Sequence, residues 1–388
     1  MNVIDLRDEL YKRRIEIIEI SDNCVYYAEE MSESGEERIY IYCYDFDSES
    51  ERVLAFFALE SSAYIQHFYS IGNCIMLLFE NGTSSAWLIK INKRSGEELF
   101  RKKISLIGRF FDCVPIDENN IILYTRADEE SRDLFNRCLE TTNSETIANM
   151  YDLEKGFRYF VKDFKTAELI EKGMYTLSTD SGERFLLSDP YCAEAEKEEL
   201  VKALGNELRE SGDELRDNIW IVSKTKLLDA VKSGEEHIAL RRAASAGLEG
   251  TVRFESVCGS SVIFRAKVYN SQLEQYFEMS SSNGKVRPVC TVRPQSGDSA
   301  YFTDESNGGI YFLTRTGSSV RITGEVGSRA EFAYPEKVGE IESCIDDRYI
   351  IAVMPSDEPT TAIYDSRLGK TDTFEARAKI KGNVVVLY

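Results

Sequence analysis

Four groups of residues in this chain have types and spacings that could do chemistry. The first is Asp45-Phe46-Asp47-Ser48-Glu49-Ser50-Glu51, whose alternating acids resemble the start of a calcium loop. An EF-hand needs Gly at its sixth position and Glu at its twelfth, and here those are Ser50 and Phe56. A solvated turn between two strands is the reading that fits. The second is His67 and His237, the two histidines of the chain. A Ser/His/Asp triad would need one of them, but no Gly-x-Ser-x-Gly elbow is present. His67 alternates with Ile65 in an apolar run, as a strand residue would. The third is Asn81-Gly82-Thr83, a glycosylation acceptor in form and a hairpin turn by its Asn-Gly dipeptide. No Gly-rich phosphate loop occurs.

The fourth group is the densest charge run. From Ala193 to Asp217 there are nine acids and four bases, a net charge of −5. Leu200, Val201, Leu204 and Leu208 form one apolar stripe through it at helical spacing. Glu198, Glu199 and Glu207 then stand on the outer face, where a basic protein partner is expected to dock. No catalytic, cofactor-binding or metal-binding residues are expected. Nine cysteines, with no Cys-x-x-Cys pair and few histidines, leave no clustered ligand set. Their odd number and apolar surroundings predict free thiols and no native disulfide.

The elements that must position these groups are strands. Twenty-one Tyr and twenty Phe, with many Ile and Val, favour sheet. One short unit recurs: Ala86 to Asn92 leads into a turn ending at Gly96, Ala362 to Asp365 into one ending at Gly369, and Tyr276 to Ser280 into one ending at Gly284. In each, Asn, Asp or Ser sits four residues before the Gly. Seven such units can be read along the chain, each with four strands. The strong second strands are Val25–Ala28, Cys74–Phe79, Ile121–Tyr124, Arg184–Leu187, Val262–Ala266, Ile310–Thr314 and Tyr349–Met354. The third strands include Ile39–Tyr44, Ala86–Ile91, Phe157–Val161 and Ile219–Val222.

Four antiparallel strands repeated seven times resemble the β-propeller superfold. The resemblance is to an architecture, because neither Trp-Asp nor kelch signatures recur. The expected fold is all-β: a single propeller over 15–388 behind a capping helix over 1–14, where Val3, Leu6 and Leu10 have helical spacing. Helical inserts are expected at about 126–150 and 191–217, in blades 3 and 4, and at 223–234. The first two fall between the second and third strands of consecutive blades and are expected side by side on one face. Val384–Leu387 is expected to close the sheet structure, alongside Ile15–Ile20.

Composition bounds the function. A formal charge of −20 opposes general nucleic-acid binding and attraction to an anionic membrane. The start of the chain lacks the basic head and apolar stretch of a signal peptide, so a cytoplasmic protein is expected. The leading expectation is a non-catalytic intracellular binding scaffold that uses one propeller face and its inserts. The alternative is a propeller enzyme, a hydrolase or lyase, acting on a sugar or other small polar substrate. The two are distinguished by whether carboxylates and His gather at one place.

Overall fold

The computed structural model describes the chain outside residues 8–13, 34–35, 59–62, 82–84, 180–181, 194–195, 198, 200–215, 247–249, 259–260, 269–272, 281–284, 293–298, 305–308, 317–318, 325–328, 334–339, 347 and 355–358. Within 128–145 it describes 129, 132, 133 and 136, and between 292 and 340 it describes backbone alone.

Strands follow one another in the order the repeats predict. β1 (Asn2–Asp5) comes first. Blade 1 is β2 (Arg14–Ile20), β3 (Cys24–Glu33), β4 (Glu36–Asp45) and β5 (Ser50–Ala58). Blade 2 is β6 (Ala63–Ile71), β7 (Cys74–Asn81), β8 (Ser85–Asn92) and β9 (Glu98–Ser105). Blade 3 is β10 (Arg109–Asp117), β11 (Asn120–Arg126), β12 (Thr146–Asp152) and β13 (Phe157–Phe160), followed by helix α1 (Phe164–Lys172). Blade 4 is β14 (Met174–Thr179), β15 (Gly182–Asp189), β16 (Asp217–Ser223) and β17 (Arg241–Ala246), with helix α2 (Lys224–Ser233) between the last two. Blade 5 is β18 (Gly250–Cys258), β19 (Ser261–Val268), β20 (Leu273–Ser280) and β21 (Val286–Val292). Blade 6 is β22 (Ser299–Asp304), β23 (Gly309–Thr316), β24 (Ser319–Gly324) and β25 (Arg329–Ala333). Blade 7 is β26 (Glu340–Ile345), β27 (Tyr349–Met354), β28 (Thr360–Asp365) and β29 (Lys370–Phe374), and β30 (Ala378–Lys381) and β31 (Val384–Leu387) end the chain.

Each blade is an antiparallel meander in sequence order. Seven four-stranded sheets of this kind make the fold an all-β, seven-bladed β-propeller. The chain divides into two compact units where a single domain was expected. One unit, here the blade 1–3 unit, is 8–172 with 224–239; the other, the blade 4–7 unit, is 1–7, 173–223 and 240–388.

In the blade 1–3 unit the middle strands are buried on both faces, so their apolar runs are continuous. Cys74 to Phe79 is buried throughout. Ile75, Leu77 and Phe79 pack with Ile39, Ile41 and Phe57 of blade 1, while Met76 and Leu78 pack with Ile121 and Leu123 of blade 3. The recurring Asx-to-Gly spacing is a turn between third and fourth strands. Asn92 Oδ1 accepts the amides of Arg94 and Ser95 at 2.8 and 3.1 Å, and Gly96 N donates to Asn92 O at 2.9 Å. Gly96 has φ +72°, and a Cβ there would lie 2.1 Å from Leu54 O. Asp152 and Gly156 repeat the turn in blade 3, and Asp45 with Glu49, at φ 49°, repeats it in blade 1. The acidic run 45–51 is therefore this turn.

The same turn recurs in the blade 4–7 unit at Asp365 and Gly369, where Asp365 Oδ1 accepts the amides of Arg367 and Leu368. Here a three-stranded sheet joins both ends of the chain. β31 lies between β1, to which it is parallel, and β30, to which it is antiparallel. All four residues of β31 are buried, and Val385 and Leu387 pack with Ile345, Ile351 and Ile363 of blade 7.

Three expectations need correction. Residues 2–5 are strand and not the start of a capping helix, because Val3 and Ile4 pair with Val385 and Val386. Val384–Leu387 accordingly pairs with β1, and Ile15–Ile20 belongs to blade 1 alone. The third strand of blade 3 is Thr146–Asp152, whose Ile147, Ala148 and Met150 are buried; Phe157–Phe160 is the fourth strand. The insert at 191–217 does leave between second and third strands, and so does the one in blade 3, which ends before Thr146. Most of both inserts lies outside the described residues. The expected third helix is α2, and α1 was not foreseen.

Candidate functional site

The first strands carry a local irregularity that repeats. In the blade 1–3 unit, β2, β6 and β10 each have a bulge, with Ile18, Gln66 and Phe111 as the extra residues. A bulge turns the strand and re-aims the side chain that follows it. The residues that follow are Glu19, His67 and Asp112, all ionisable. They occupy equivalent positions on three consecutive blades.

His67 and Asp112 belong to one cluster. The His67 ring stacks on Tyr69 at 5.7 Å between centroids and tilts against Phe110 at 5.7 Å. Burial holds the His67 imidazole below its usual pKa, and the nearby Asp112 carboxylate partly opposes that. Asp112 is half-buried and accepts a 2.7 Å hydrogen bond from the amide of Cys113. Tyr69 Oη donates to Cys113 O at 2.9 Å, and Cys113 Sγ donates back to Tyr69 Oη at 3.0 Å. Burial drives the Tyr69 phenol up and pushes the Cys113 thiol up to about 12, so both stay protonated. These two residues form a neutral floor.

The other side comes from β11 and α1. Tyr124 Oη donates to Ala167 O at 2.9 Å, which fixes α1 against blade 3. Asp163 starts that helix, accepting Thr166 N at 3.0 Å and Thr166 Oγ1 at 2.9 Å, and it also holds Ile238 N at 2.7 Å after α2. α1 thus presents Glu171 toward Asp112. Burial raises the Glu171 carboxyl above its usual range; Arg126 opposes the rise, and Asp112 and Glu168 add to it. Arg126 is exposed, with its guanidinium 3.4 Å from the centroid of the Phe111 ring.

Asp112 thus stands near both a histidine disposed to stay neutral and, on α1, a carboxyl disposed to hold its proton. Opposed shifts of this kind mark acid and base partners. Arg126 on its aromatic shelf adds a donor fork suited to a carboxylate or another anionic group. Among the described residues no group of three or more His, Cys, Asp or Glu is placed to hold a metal ion.

The blade 4–7 unit holds a different charged centre. Asp217 opens β16 and is wholly buried. Its oxygens receive Tyr191 N at 2.9 Å, Val252 N at 3.3 Å and Arg253 Nη1 at 2.6 Å, and Lys197 Nζ, also wholly buried, stands 3.1 Å away. Arg253 Nη2 continues to Cys192 O at 2.9 Å. Lys197 is one of the four bases inside the acidic insert, so this ion group ties the start of the insert to blades 4 and 5.

Of the expected docking residues, Glu199 is exposed, and Glu198 and Glu207 lie outside the described residues. Glu196, one turn from Glu199, is also exposed. His237 is exposed. Asn81 ends β7, and Gly82 and Thr83 lie outside the described residues. Sequence reasoning passed over Asp112, Glu171 and Arg126. One signal was present: an apolar residue, any residue, then a polar one. It reads Ile17-Ile18-Glu19, Ile65-Gln66-His67, Phe110-Phe111-Asp112, Phe254-Glu255-Ser256 and Ile341-Glu342-Ser343 at five bulges, while Met174-Tyr175-Thr176 has the same pattern in regular register.

No family model matches the chain, and no curated protein matches it. Among solved structures it is similar to prolyl endopeptidases, at 9% identity and a TM-score of 0.48 over 94% of this chain and 50% of theirs. The chain therefore spans about half the length of those proteins. It is similar to the β-propeller domain of the Trilobed protease from Pyrococcus furiosus, at 12% identity and a TM-score of 0.44 over 93% of this chain and 97% of that one. It is also similar to an oligogalacturonate lyase in complex with manganese, at 7% identity and a TM-score of 0.44 over 90% and 96% of the two chains. At such identities none of these likenesses assigns an activity.

Proposed function

We propose that this β-propeller protein is an enzyme that moves protons on a small polar substrate bearing an anionic group, such as an acidic sugar, in the manner of a hydrolase or lyase. The observation that carries the reading is the convergence of His67, Asp112, Glu171 and Arg126 from four elements of the blade 1–3 unit. His67 is the base, Glu171 the acid, Asp112 the group that orients His67, and Arg126 the anchor for the substrate anion. A base works best when it is unprotonated at the working pH, and an acid when it still holds its proton.

The experiment uses a panel of neutral monosaccharides, uronic acids and short uronate oligomers. The wild-type chain is expected to gain thermal stability and to show turnover with members that carry a carboxylate. Arg126→Ala should weaken binding, and His67→Gln should remove turnover while keeping binding. A panel that shifts neither the melting temperature nor the substrate in any case removes this reading.

A second reading keeps the protein-binding expectation. It is supported by the exposed Glu196 and Glu199 on a segment anchored by Lys197. The occupant would be a basic protein segment, and charge reversal at Glu199 should then weaken its capture and its salt dependence.

A further inference from the structure

The first position of the bulge series, Glu19, faces a different chemistry. Cys24 opens β3 and Cys43 lies on β4. The register pairs Cys24 with Asp45 and Tyr26 with Cys43, so the two thiols are diagonal neighbours on one face of blade 1. Cys24 is half-buried and Cys43 buried, and both are free thiols.

Polar groups crowd the Cys24 sulfur. Ser21 Oγ stands 3.1 Å from Cys24 Sγ, 2.9 Å from its carbonyl oxygen and 3.1 Å from its amide nitrogen. The Cys43 thiol and the Tyr26 hydroxyl stand on the same face of the sheet and favour the charged form of that sulfur. The carboxylate nearest the group, Glu19, opposes a second negative charge, but it is occupied. Lys93 Nζ lies 2.6 Å from Glu19 Oε2, and Ser70 Oγ donates to that oxygen at 2.5 Å. Lys93 also stands 5.9 Å over the Tyr26 ring, and Arg52 approaches Cys43 from β5. Hydrogen bonds to the charged form favour it. The neighbouring Cys43 thiol has the largest of these effects, and together they bring Cys24 down to about 6 while Cys43 is driven up. The pair therefore favours the ionised form at Cys24 and the protonated form at Cys43.

We propose that Cys24 and Cys43 form an oxidisable dithiol, in which Cys24 attacks a peroxide and Cys43 resolves the product to an intramolecular disulfide. In the first step the Cys24 thiolate attacks one peroxide oxygen and the O–O bond breaks. Cys24 becomes a sulfenic acid, and the other oxygen leaves as water or an alcohol after taking a proton. In the second step the Cys43 sulfur attacks the Cys24 sulfur, the S–O bond breaks, and water leaves with the Cys43 proton. The two sulfurs lose two electrons in all and the peroxide gains them. Diagonal cross-strand residues lie roughly 7–8 Å apart at Cα, slightly beyond the usual disulfide span of about 4.4–6.8 Å. Closing the bond shifts β3 against β4 at the end where Cys24 pairs with Asp45, and a bond held under that strain reopens readily with a dithiol reductant.

The test uses the full reduced chain and hydrogen peroxide at one equivalent, followed by blocking of the remaining thiols and peptide mass spectrometry. The expected product is a Cys24–Cys43 cross-linked peptide pair that dithiothreitol releases. Cys43→Ser should stop at a Cys24 sulfenic acid that dimedone traps, and Cys24→Ser should leave Cys43 reduced. The unmutated chain gives an independent reading through iodoacetamide. Alkylation of Cys24 should reach half its maximal rate near pH 6, because the thiolate is the reacting species. At that pH a thiol with a pKa of about 6 has roughly 150 times the thiolate of an ordinary cysteine near 8.5. Its lower basicity costs about 13-fold in intrinsic nucleophilicity, which leaves it about tenfold faster than free cysteine. Oxidation of other thiols before Cys24, a wild-type chain that stops at the sulfenic acid, or a half-maximal rate near the ordinary cysteine value would each overturn the proposal.

Discussion

The two units of this chain use the same strand device for different ends. In the blade 1–3 unit all three first strands bulge, and Glu19, His67 and Asp112 follow the bulges. In the blade 4–7 unit, β18 and β26 bulge before Ser256 and Ser343, and β14 and β22 run without a bulge. The charge buried in the blade 4–7 unit is instead matched: Asp217 has two cations and two backbone amides. In the blade 1–3 unit Asp112 faces a second carboxyl, Glu171, and a histidine held toward its neutral form. Matched charge stabilises a structure, whereas like groups crowded at half-burial cost stability and are kept where they do work.

That contrast breaks first at Asp217. Asp217→Ala leaves Lys197 and Arg253 without their carboxylate, and removing one partner of a buried pair costs about 3–5 kcal/mol. Urea unfolding should show that loss, while Asp112→Asn should stay within about 1 kcal/mol of wild type. Equal losses at the two sites would erase the distinction.

The next effect concerns the sheet that joins both chain ends. Val385 is wholly buried against blade 7. Truncation to Ala should cost roughly 2 kcal/mol by lost transfer and cavity terms, and the midpoint of denaturation reads it. Removing residues 383–388 should cost several times more.

A smaller difference separates two copies of the Asx turn. Gly96 and Gly369 both have positive φ, but a Cβ meets Leu54 O at Gly96 and open space at Gly369. Gly369→Ala should cost about 1 kcal/mol for backbone strain alone. Gly96→Ala should cost about 1–3 kcal/mol, since the backbone of β5 must also move. Similar values would mean that the two turns are held alike.

The smallest effects are in pH dependence. His67 has a folded pKa below its unfolded value of about 6.5, so its contribution is present above that pH and is lost as pH falls through the folded value. Glu171 has a folded pKa above its unfolded value, so its contribution is present at acid pH and is lost as pH rises through the folded value. His67→Gln should flatten stability on the acid side of pH 6.5. Glu171→Gln should be slightly more stable than wild type at pH 7.

Much of the fold was legible because strands and turns are local. Cys74 to Phe79 is apolar without alternation, as a strand buried on both faces must be. Asn92 to Gly96 and Asp365 to Gly369 name their own turn. The misreadings came where partners are distant. Val3, Leu6 and Leu10 have helical spacing, and only pairing with Val384–Leu387 reveals a strand. Thr146–Asp152 stands behind an insert and was absorbed into its helical pattern. α1 has a cap at Asp163 and a stop at Gly173, but it is short and followed a strand already misassigned. The site was illegible for the same reason: His67, Asp112 and Glu171 meet through bulges and helix packing, and no local motif joins them. The one sequence trace, an apolar residue two before a polar one at the bulges of five of the seven first strands, has meaning only after the bulges are seen.

The central claim is that His67 and Asp112 act as one unit, and the imidazole itself reports on it. With two histidines in the chain, NMR titration of the ring protons resolves His67, and His67→Gln assigns its signal. The account predicts a pKa below the ordinary 6.5 in the wild type, and a still lower one in Asp112→Asn, where the carboxylate that favours the charged ring is gone. A His67 pKa at or above 6.5, or one that Asp112→Asn leaves unchanged, would contradict it.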